Sequence, residues 1–269
     1  MSFATVTNTA PATSIDAFVD RFERPAPTLL AVWAHPDDES YLGAGLMAEV
    51  AARGGRVVNV TASLGEHGTE DPVANPPEEL AARRHAELIS ALCRLGASEH
   101  RILGHPDGAC GRVPDRLGAR MIASVIDGVE PDMIVGFGPD GVTGHPDHRA
   151  VARWTARAVA QRGDRIPLLT TAADAAWPPE LIDGMHEVGA FWPNHPLRHR
   201  DESHQTVRLE ARRLEQKLAA LACHESQIGP LQRALGVTGY RRLASMEAYR
   251  AGNAAAARFM CDEQASAAA

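Results

Sequence analysis

The chain has 269 residues, 45% of them hydrophobic, enough to bury a large core in one α/β domain or two small ones. Its 27 Lys and Arg against 34 Asp and Glu leave a net charge of −7, which excludes a surface that follows nucleic-acid phosphates. Aromatic residues make up only 5%, too few for base-stacking platforms, whereas the 12 histidines are a surplus.

Residues 1–27 are polar, include Pro25 and Pro27, and are expected to form an N-terminal arm, packed or partly disordered, ahead of a single catalytic domain over 28–269. The apolar run TLLAVWA at 28–34 predicts a strand buried on both faces. A helical period over 41–53 ends at Gly54-Gly55, RVVNVTA at 56–62 predicts a second strand, and a second helix over 78–95 stops at Gly96. The alternation continues with a strand over 100–103, a helix over 115–129, the strand MIVGF at 133–137, a helix over 146–162 and a strand over 167–171. Residues 173–204, rich in Pro, Trp and His, lack a clean period and are expected to form an irregular excursion near the site. A strand over 205–210, an amphipathic helix over 211–226, and a last helix before an Ala-rich tail complete the chain. Strands and helices in alternation predict βαβ units. The expected fold is α/β, a Rossmann-like, mostly parallel sheet with helices on both faces and its active site at the carboxyl ends of the strands.

Cys93, Cys110, Cys223 and Cys261 are scattered without a C-x-x-C pair, which excludes a zinc ribbon and argues against a disulfide framework. The first residues lack a basic segment followed by an apolar run, and no stretch has the length and hydropathy to span a bilayer. A cytoplasmic protein without membrane insertion is expected, and the sequence is silent on oligomeric state.

The tripeptide His-Pro-Asp occurs three times, at His35, His105 and His145. The first and third copies carry a second ligand type three residues on, Asp38 and His148, a spacing that shares one face where the chain enters a helix. Both copies follow predicted parallel strands and therefore sit at the same rim of the sheet. Two histidines and one aspartate on a metal leave a coordination position open for water, the pattern of a catalytic zinc. With His35, Asp38 and His148 as the ligands, Asp37 and His145 remain beside the ion. A carboxylate then takes a proton from the coordinated water, while an imidazole stabilises the oxyanion or protonates the leaving nitrogen. Asp147 is placed to orient His145. The middle copy, with Gly108 in the fourth place, is the weakest metal candidate.

AHPDDE at 34–39 and GPDGVTGHPDH at 138–148 resemble the PIG-L/LmbE-like family of zinc-dependent de-N-acetylases, and the likeness runs from about Thr28 to Gln227. The resemblance implies His35, Asp38 and His148 as ligands of one Zn2+, Asp37 as general base and His145 as the oxyanion-stabilising acid, with Asp147 behind it. It further implies that Arg84 and Asp107 touch an amino sugar, although a solvated helix arginine and a turn aspartate fit those residues equally well. Glu66 in TASLGEHG and the C-terminal pattern Lys217-x-x-Ala-x-x-x-His224-x-Ser226-Gln227 match the family more loosely, and His224 is expected to support the site.

The implied activity is hydrolysis of a linear amide C–N bond, removing an acyl group, acetyl in the first instance, from a small-molecule amino-sugar conjugate. Three alternatives stand beside it: an amidase of a mycothiol-type thiol conjugate, a non-haem Fe(II) oxygenase built on the same two-His-one-carboxylate set, and a non-catalytic metal staple. His186, His195, His199 and His204 read as surface or pocket-rim residues.

Overall fold

The computed structural model describes residues 12–97, 99–173, 179–193, 195 and 204–261. The chain opens with β1 (Thr13–Ser14), α1 (Ile15–Val19), β2 (Thr28–Trp33), α2 (Asp38–Leu42), α3 (Ala44–Ala52), β3 (Arg56–Thr61), α4 (Pro77–Leu95) and β4 (Glu99–Ile102). It continues with α5 (Asp115–Val129), β5 (Met133–Phe137), α6 (Pro146–Ala160), β6 (Leu168–Thr171) and α7 (Pro179–Glu187). It closes with β7 (His204–Arg208), α8 (Ala211–Leu221), α9 (Glu225–Ala244), β8 (Met246–Ala251) and α10 (Ala254–Cys261).

The described strands make one sheet in the order β1-β7-β8-β6-β5-β2-β3-β4. β2, the first long strand, pairs in parallel with β3 on one side and β5 on the other. The chain thus winds away from β2 in both directions, and the resulting crevice opens beyond the carboxyl ends of β2 and β5. Both strands are sandwiched between helix layers, with Leu29 to Trp33 and Met133 to Val135 buried, which is why their sequences are continuously apolar instead of alternating.

Local signals set the helix ends. α4 starts on Pro77 with Glu78 and Glu79 in its first turn, carries Arg94 in its last, and is closed by Gly96 at φ +76°, whose amide reaches the Leu92 and Cys93 carbonyls. α5 and α6 pack closely because Gly118 leaves room for the Trp154 indole, which a Cβ would overlap.

Four expectations change. The helical run over 41–53 is two helices, broken at Gly43, where a Cβ would approach Trp33 Cζ2 to 2.9 Å. The run over 211–226 ends at Leu221, and His224 opens α9, which kinks at Gly236. The excursion contains α7, with Leu181 and Met185 buried; its residues 174–178, 194 and 196–203 lie outside the described residues, as do the Ala-rich tail from 262 and the arm up to residue 11. The stretch after α9 adds a strand, β8, antiparallel to both β6 and β7, which the short sequence MEAYRA did not reveal. The described part of the arm is packed: Phe18 is fully buried and stacks on Tyr249 of β8 at 5.5 Å. No described helix is long and apolar enough to cross a membrane.

Glu49 ties three helices together, accepting from Arg53 Nε and from Arg213 Nε of α8 at 2.6 Å each, while Arg53 also reaches Asp20 beyond α1. Burial works against its charge, but the bonds to Arg53 and Arg213 hold its pKa below the usual 4.5. A depressed folded pKa contributes stability above the unfolded value that disappears as pH falls through the folded one. Glu49→Gln is therefore expected to cost about 1.5–3 kcal/mol near neutrality. The gap from wild type should narrow as pH falls below 4.5, as read by urea unfolding at neutral pH and along a descending pH series.

Candidate active site

Strand β2 runs out into the turn Ala34-His35-Pro36-Asp37-Asp38. The Ala34 and His35 amides donate to Asp38 Oδ2 at 3.2 and 2.8 Å, which fixes that carboxylate and leaves Oδ1 3.4 Å from His148 Nε2. From β5 the chain crosses a glycine-rich loop to α6. His145 caps this helix, its Nδ1 accepting from the Asp147 amide at 3.2 Å. His148 stands one turn further in, its ring stacked on Phe137 at 4.2 Å. The two motifs expected at one rim of the sheet meet there.

The ring nitrogens have defined roles. His148 Nδ1 lies 3.0 Å from the Gly141 carbonyl, which can only accept, so the proton is on Nδ1 and Nε2 presents a lone pair. His35 Nε2 faces Asp107 Oδ1 at 3.0 Å and Asp147 Oδ2 at 3.5 Å, an ion-pair approach whose angles fall short of a linear hydrogen bond. The carboxylates hold a proton on that nitrogen and leave Nδ1 to point at His148 Nε2, 3.2 Å away, and Asp38 Oδ2, 3.8 Å away. His35 Nδ1 and His148 Nε2 thus face each other with their remaining valences tied to protein groups, and the Asp38 carboxylate turns Oδ2 to the first and Oδ1 to the second. The ring nitrogens of His35, His145 and His148 also lie within 4.8 Å of one another. Neighbouring ligands about 2.0–2.1 Å from one tetrahedral ion stand about 3.3 Å apart, so the donor set fits a small divalent cation. The carboxylates behind His35 and the carbonyl behind His148 are the supports such ligands require.

Charge is concentrated here. Burial opposes charge on His35, yet Asp107, Asp147 and the field of Asp38 lift its pKa to about 10. Burial, then the neighbouring His35 charge, holds His145 near 4 and His148 near 3. Burial pushes Asp37 up to about 6, with Arg84 pulling against it and Asp38 adding to the rise.

Asp37 is also strained, at φ +107° and ψ −31°, a conformation that costs a non-glycine residue about 1–3 kcal/mol. Two buried groups hold it there. Glu39 Oε2 accepts the Asp37 amide at 3.0 Å, while Oε1 takes the Ser40 hydroxyl at 2.6 Å and pairs with His224 Nε2 at 2.8 Å. Arg84 donates to the Pro36 carbonyl at 2.6 Å, the Gly65 carbonyl at 2.8 Å and Asp37 Oδ2 at 3.2 Å. Gly65 and Gly68 bend closely around its guanidinium, where a Cβ would overlap Nη1.

All eight residues singled out from the sequence line this centre or its wall, but three sit differently from expectation. The Asp147 carboxylate faces His35 and accepts from Gly108 at 2.8 Å; only its backbone amide supports His145. Arg84 is 4% exposed and committed to the turn that carries Asp37. Asp107 braces His35 and accepts the His67 amide at 3.0 Å. Glu66 accepts the Asp107 amide at 2.9 Å. His105 of the middle motif lies against Trp154. Lys217 is buried in an ion pair with Glu247 at 2.9 Å. His224 is fully buried beneath the site, where support was expected; His199 lies outside the described residues. Glu39, Tyr41, Tyr240 and Trp192 were missed. Glu39 stood inside the quoted AHPDDE, but its partner is 185 positions away, beyond any local pattern. The centre opens into a cavity of about 600 Å³.

The PIG-L family model, described as GlcNAc-PI de-N-acetylase, matches residues 30–159. A 1D-myo-inositol 2-acetamido-2-deoxy-alpha-D-glucopyranoside deacetylase from Acidothermus cellulolyticus is 33% identical, over 84% of this chain and 91% of the relative. The chain belongs to the PIG-L family. Among solved structures, the antimicrobial A40926 pseudoaglycone deacetylase shares the fold with TM-score 0.61 at 21% identity, over 85% of this chain and 97% of that one. The 4-carboxy-2-hydroxymuconate hydratase from Pseudomonas putida shares it too, with TM-score 0.57 at 18% identity, over 83% and 95%. Since a hydratase has this fold as well, the fold leaves the reaction open and the side chains must decide it.

Removing Glu39 strands the buried His224 and frees the Asp37 amide. Glu39→Ala is expected to lower stability by about 3–5 kcal/mol, the cost of breaking a buried ion pair from one side. Equilibrium urea unfolding measures it, and a change under 1 kcal/mol contradicts the clamp.

Proposed function

We propose that the protein is a zinc-dependent hydrolase that removes an acyl group from the nitrogen of an amino-sugar conjugate. One observation carries this reading: His35 Nδ1 and His148 Nε2 stand 3.2 Å apart with the Asp38 carboxylate against both, beside Asp37 and His145 in one cavity. Family membership and the Acidothermus relative's amide-bearing sugar support the choice of bond and substrate.

His35, Asp38 and His148 would hold the ion, which when bound supplies Lewis acidity and a lowered water pKa. The remaining work falls to the chain. Asp37, held by Glu39 and Arg84, takes a proton from the attacking water as the new C–O bond forms and returns it to the departing nitrogen as C–N breaks. His145 accepts a backbone N–H at Nδ1, so its neutral ring carries the proton on Nε2 and donates from there to the carbonyl oxygen as charge builds. Asp147 and Asp107 act through His35, keeping its proton on Nε2. Arg84 sets the Asp37 carboxylate, and the sugar hydroxyls meet the polar wall of Asp107 and His67. The oxygenase reading loses ground, because such triads favour β-barrels and give Asp37 no task; a mere metal staple gives it none either. Free thiols at Cys93, Cys110, Cys223 and Cys261 fit a reducing, cytoplasmic setting.

Asp37→Asn is expected to keep one zinc per chain by atomic absorption while kcat falls about 10²–10⁴-fold, the usual worth of a positioned base. His148→Ala should lose both zinc and turnover. Near-normal rates in Asp37→Asn would falsify the assignment of the base. Treatment with chelator should abolish amine release from N-acetylated sugar conjugates, and added zinc should restore it.

A further inference from the structure

The cavity has two chemically opposite ends, and the sheet order accounts for them. Its polar end rests on the loops after β3 and β4, with His67, Gly68, Asp107 and Gly108 lining it. Its other end lies on the far side of the sheet, beyond β6 and along β8, α7 and α9, lined by Met185, Phe191, Leu231, Leu243, Ala244 and Met246. β2 and β5, which carry the reacting centre, stand between β3 and β6 in the sheet, so the centre divides the two ends.

Among the described residues, the polar side chains Glu247, Lys217, Thr171, Tyr41 and Tyr240 that border the apolar end are partnered within the protein. Glu247 takes the Gly45 and Leu46 amides, Lys217 Nζ and the Tyr249 hydroxyl, at 2.7, 3.1, 2.9 and 2.7 Å. Thr171 Oγ1 donates to the Gly136 carbonyl at 3.1 Å, and the Tyr41 and Tyr240 hydroxyls meet each other at 3.3 Å. Among the described residues, the surface left to a ligand at this end is hydrocarbon and aromatic apart from one proton of the tyrosine pair, a poor lining for a polyol.

We infer that this end receives the hydrocarbon chain of the acyl group that is cleaved, so that the preferred substrates carry N-acyl chains longer than acetyl. The inference rests on the amide-hydrolase reading. An amide has two sides, and among the described residues the exposed His67 and the Asp107 carboxylate offer the hydroxyl-bearing side its partners at the polar end. The acyl side then runs the other way, past the tyrosine pair. An acetyl methyl leaves most of the apolar end unfilled. Each buried methylene is worth up to about fourfold in kcat/KM.

The test uses the metal-loaded full chain with N-acetyl-, N-butanoyl-, N-hexanoyl- and N-octanoyl-glucosamine, and with the octyl glycoside of N-acetylglucosamine, assayed for released amine. The expected result is a rise of at least tenfold in kcat/KM from acetyl to octanoyl with no comparable gain for the octyl glycoside. A flat series, or a gain for the octyl glycoside instead, overturns the assignment. Ala244→Phe, which narrows the apolar end, should lower the octanoyl-to-acetyl ratio at least tenfold; an unchanged ratio counts against it. Calorimetry with the two carboxylate products separates this inference from the reading beneath it. Octanoate should bind at least 100-fold more tightly than acetate, and equal affinities sink the inference whatever the turnover. If no amide is cleaved while octanoate keeps its advantage, the hydrocarbon site stands and the hydrolase reading fails.

Discussion

The Asp37 backbone conformation is the constraint on which the site depends. A φ of +107° is unfavourable for an aspartate, and it persists because Glu39 holds the amide while Arg84 holds the carboxylate and the preceding carbonyl. The strain has a geometric return. Asp38 begins α2 with its carboxylate locked by the turn amides, and Asp37, one residue earlier, points its own carboxylate into the same cavity. Adjacent residues with ordinary backbone angles would diverge. In the proposed mechanism one holds an ion and the other moves a proton, with the buried Glu39–His224 pair below them.

Electrostatics organises the neighbourhood in the same way. Four carboxylates surround three imidazoles in a space mostly closed to water. His35 separates the acidic partners, with Asp107 and Asp147 on one ring nitrogen and Asp38 facing the other. The arrangement makes His35 an avid proton holder when no other cation is present, and burial, reinforced by the His35 charge, keeps His145 and His148 neutral. A metal ion and the second His35 proton would occupy the same space, so each excludes the other.

How much of this was legible in sequence follows from the range of the interactions. β2 and β5 were readable because burial on both faces leaves an unbroken apolar run, and α4 because Pro77 and Gly96 mark its ends. The two motifs at His35 and His145 were readable because i,i+3 spacing is a local rule, and the parallel sheet placed them on one rim. Long-range pairings were not readable. Nothing near Glu39 announces His224, and nothing near Lys217 announces Glu247. Asp147 was assigned to the wrong neighbour for a related reason: its place two residues after His145 suggested side-chain support, yet on entering α6 its amide turns to that ring and its carboxylate turns across to β2's histidine. Arg84 reads as a solvated or substrate-facing arginine until the glycine loop folded around it is seen.

β8 has a consequence for how the chain is made. Among the described strands it is the last in sequence, yet it lies between β6 and β7 in the sheet. During synthesis the parallel half from β6 to β4 can assemble first, leaving β6 as an open edge, while β7 with β1 forms a second fragment with nothing beside it. Only when β8 has left the ribosome can its two faces of hydrogen bonds join the pieces and bring Tyr249 under Phe18. Until then the nascent protein exposes two unpaired strand edges, those of β6 and β7, beyond the β1 and β4 edges of the finished sheet. Such edges are the surfaces on which chains join one another instead of themselves. The cell's exposure to misassembly of this protein is therefore concentrated in the interval between the emergence of β7 and that of β8.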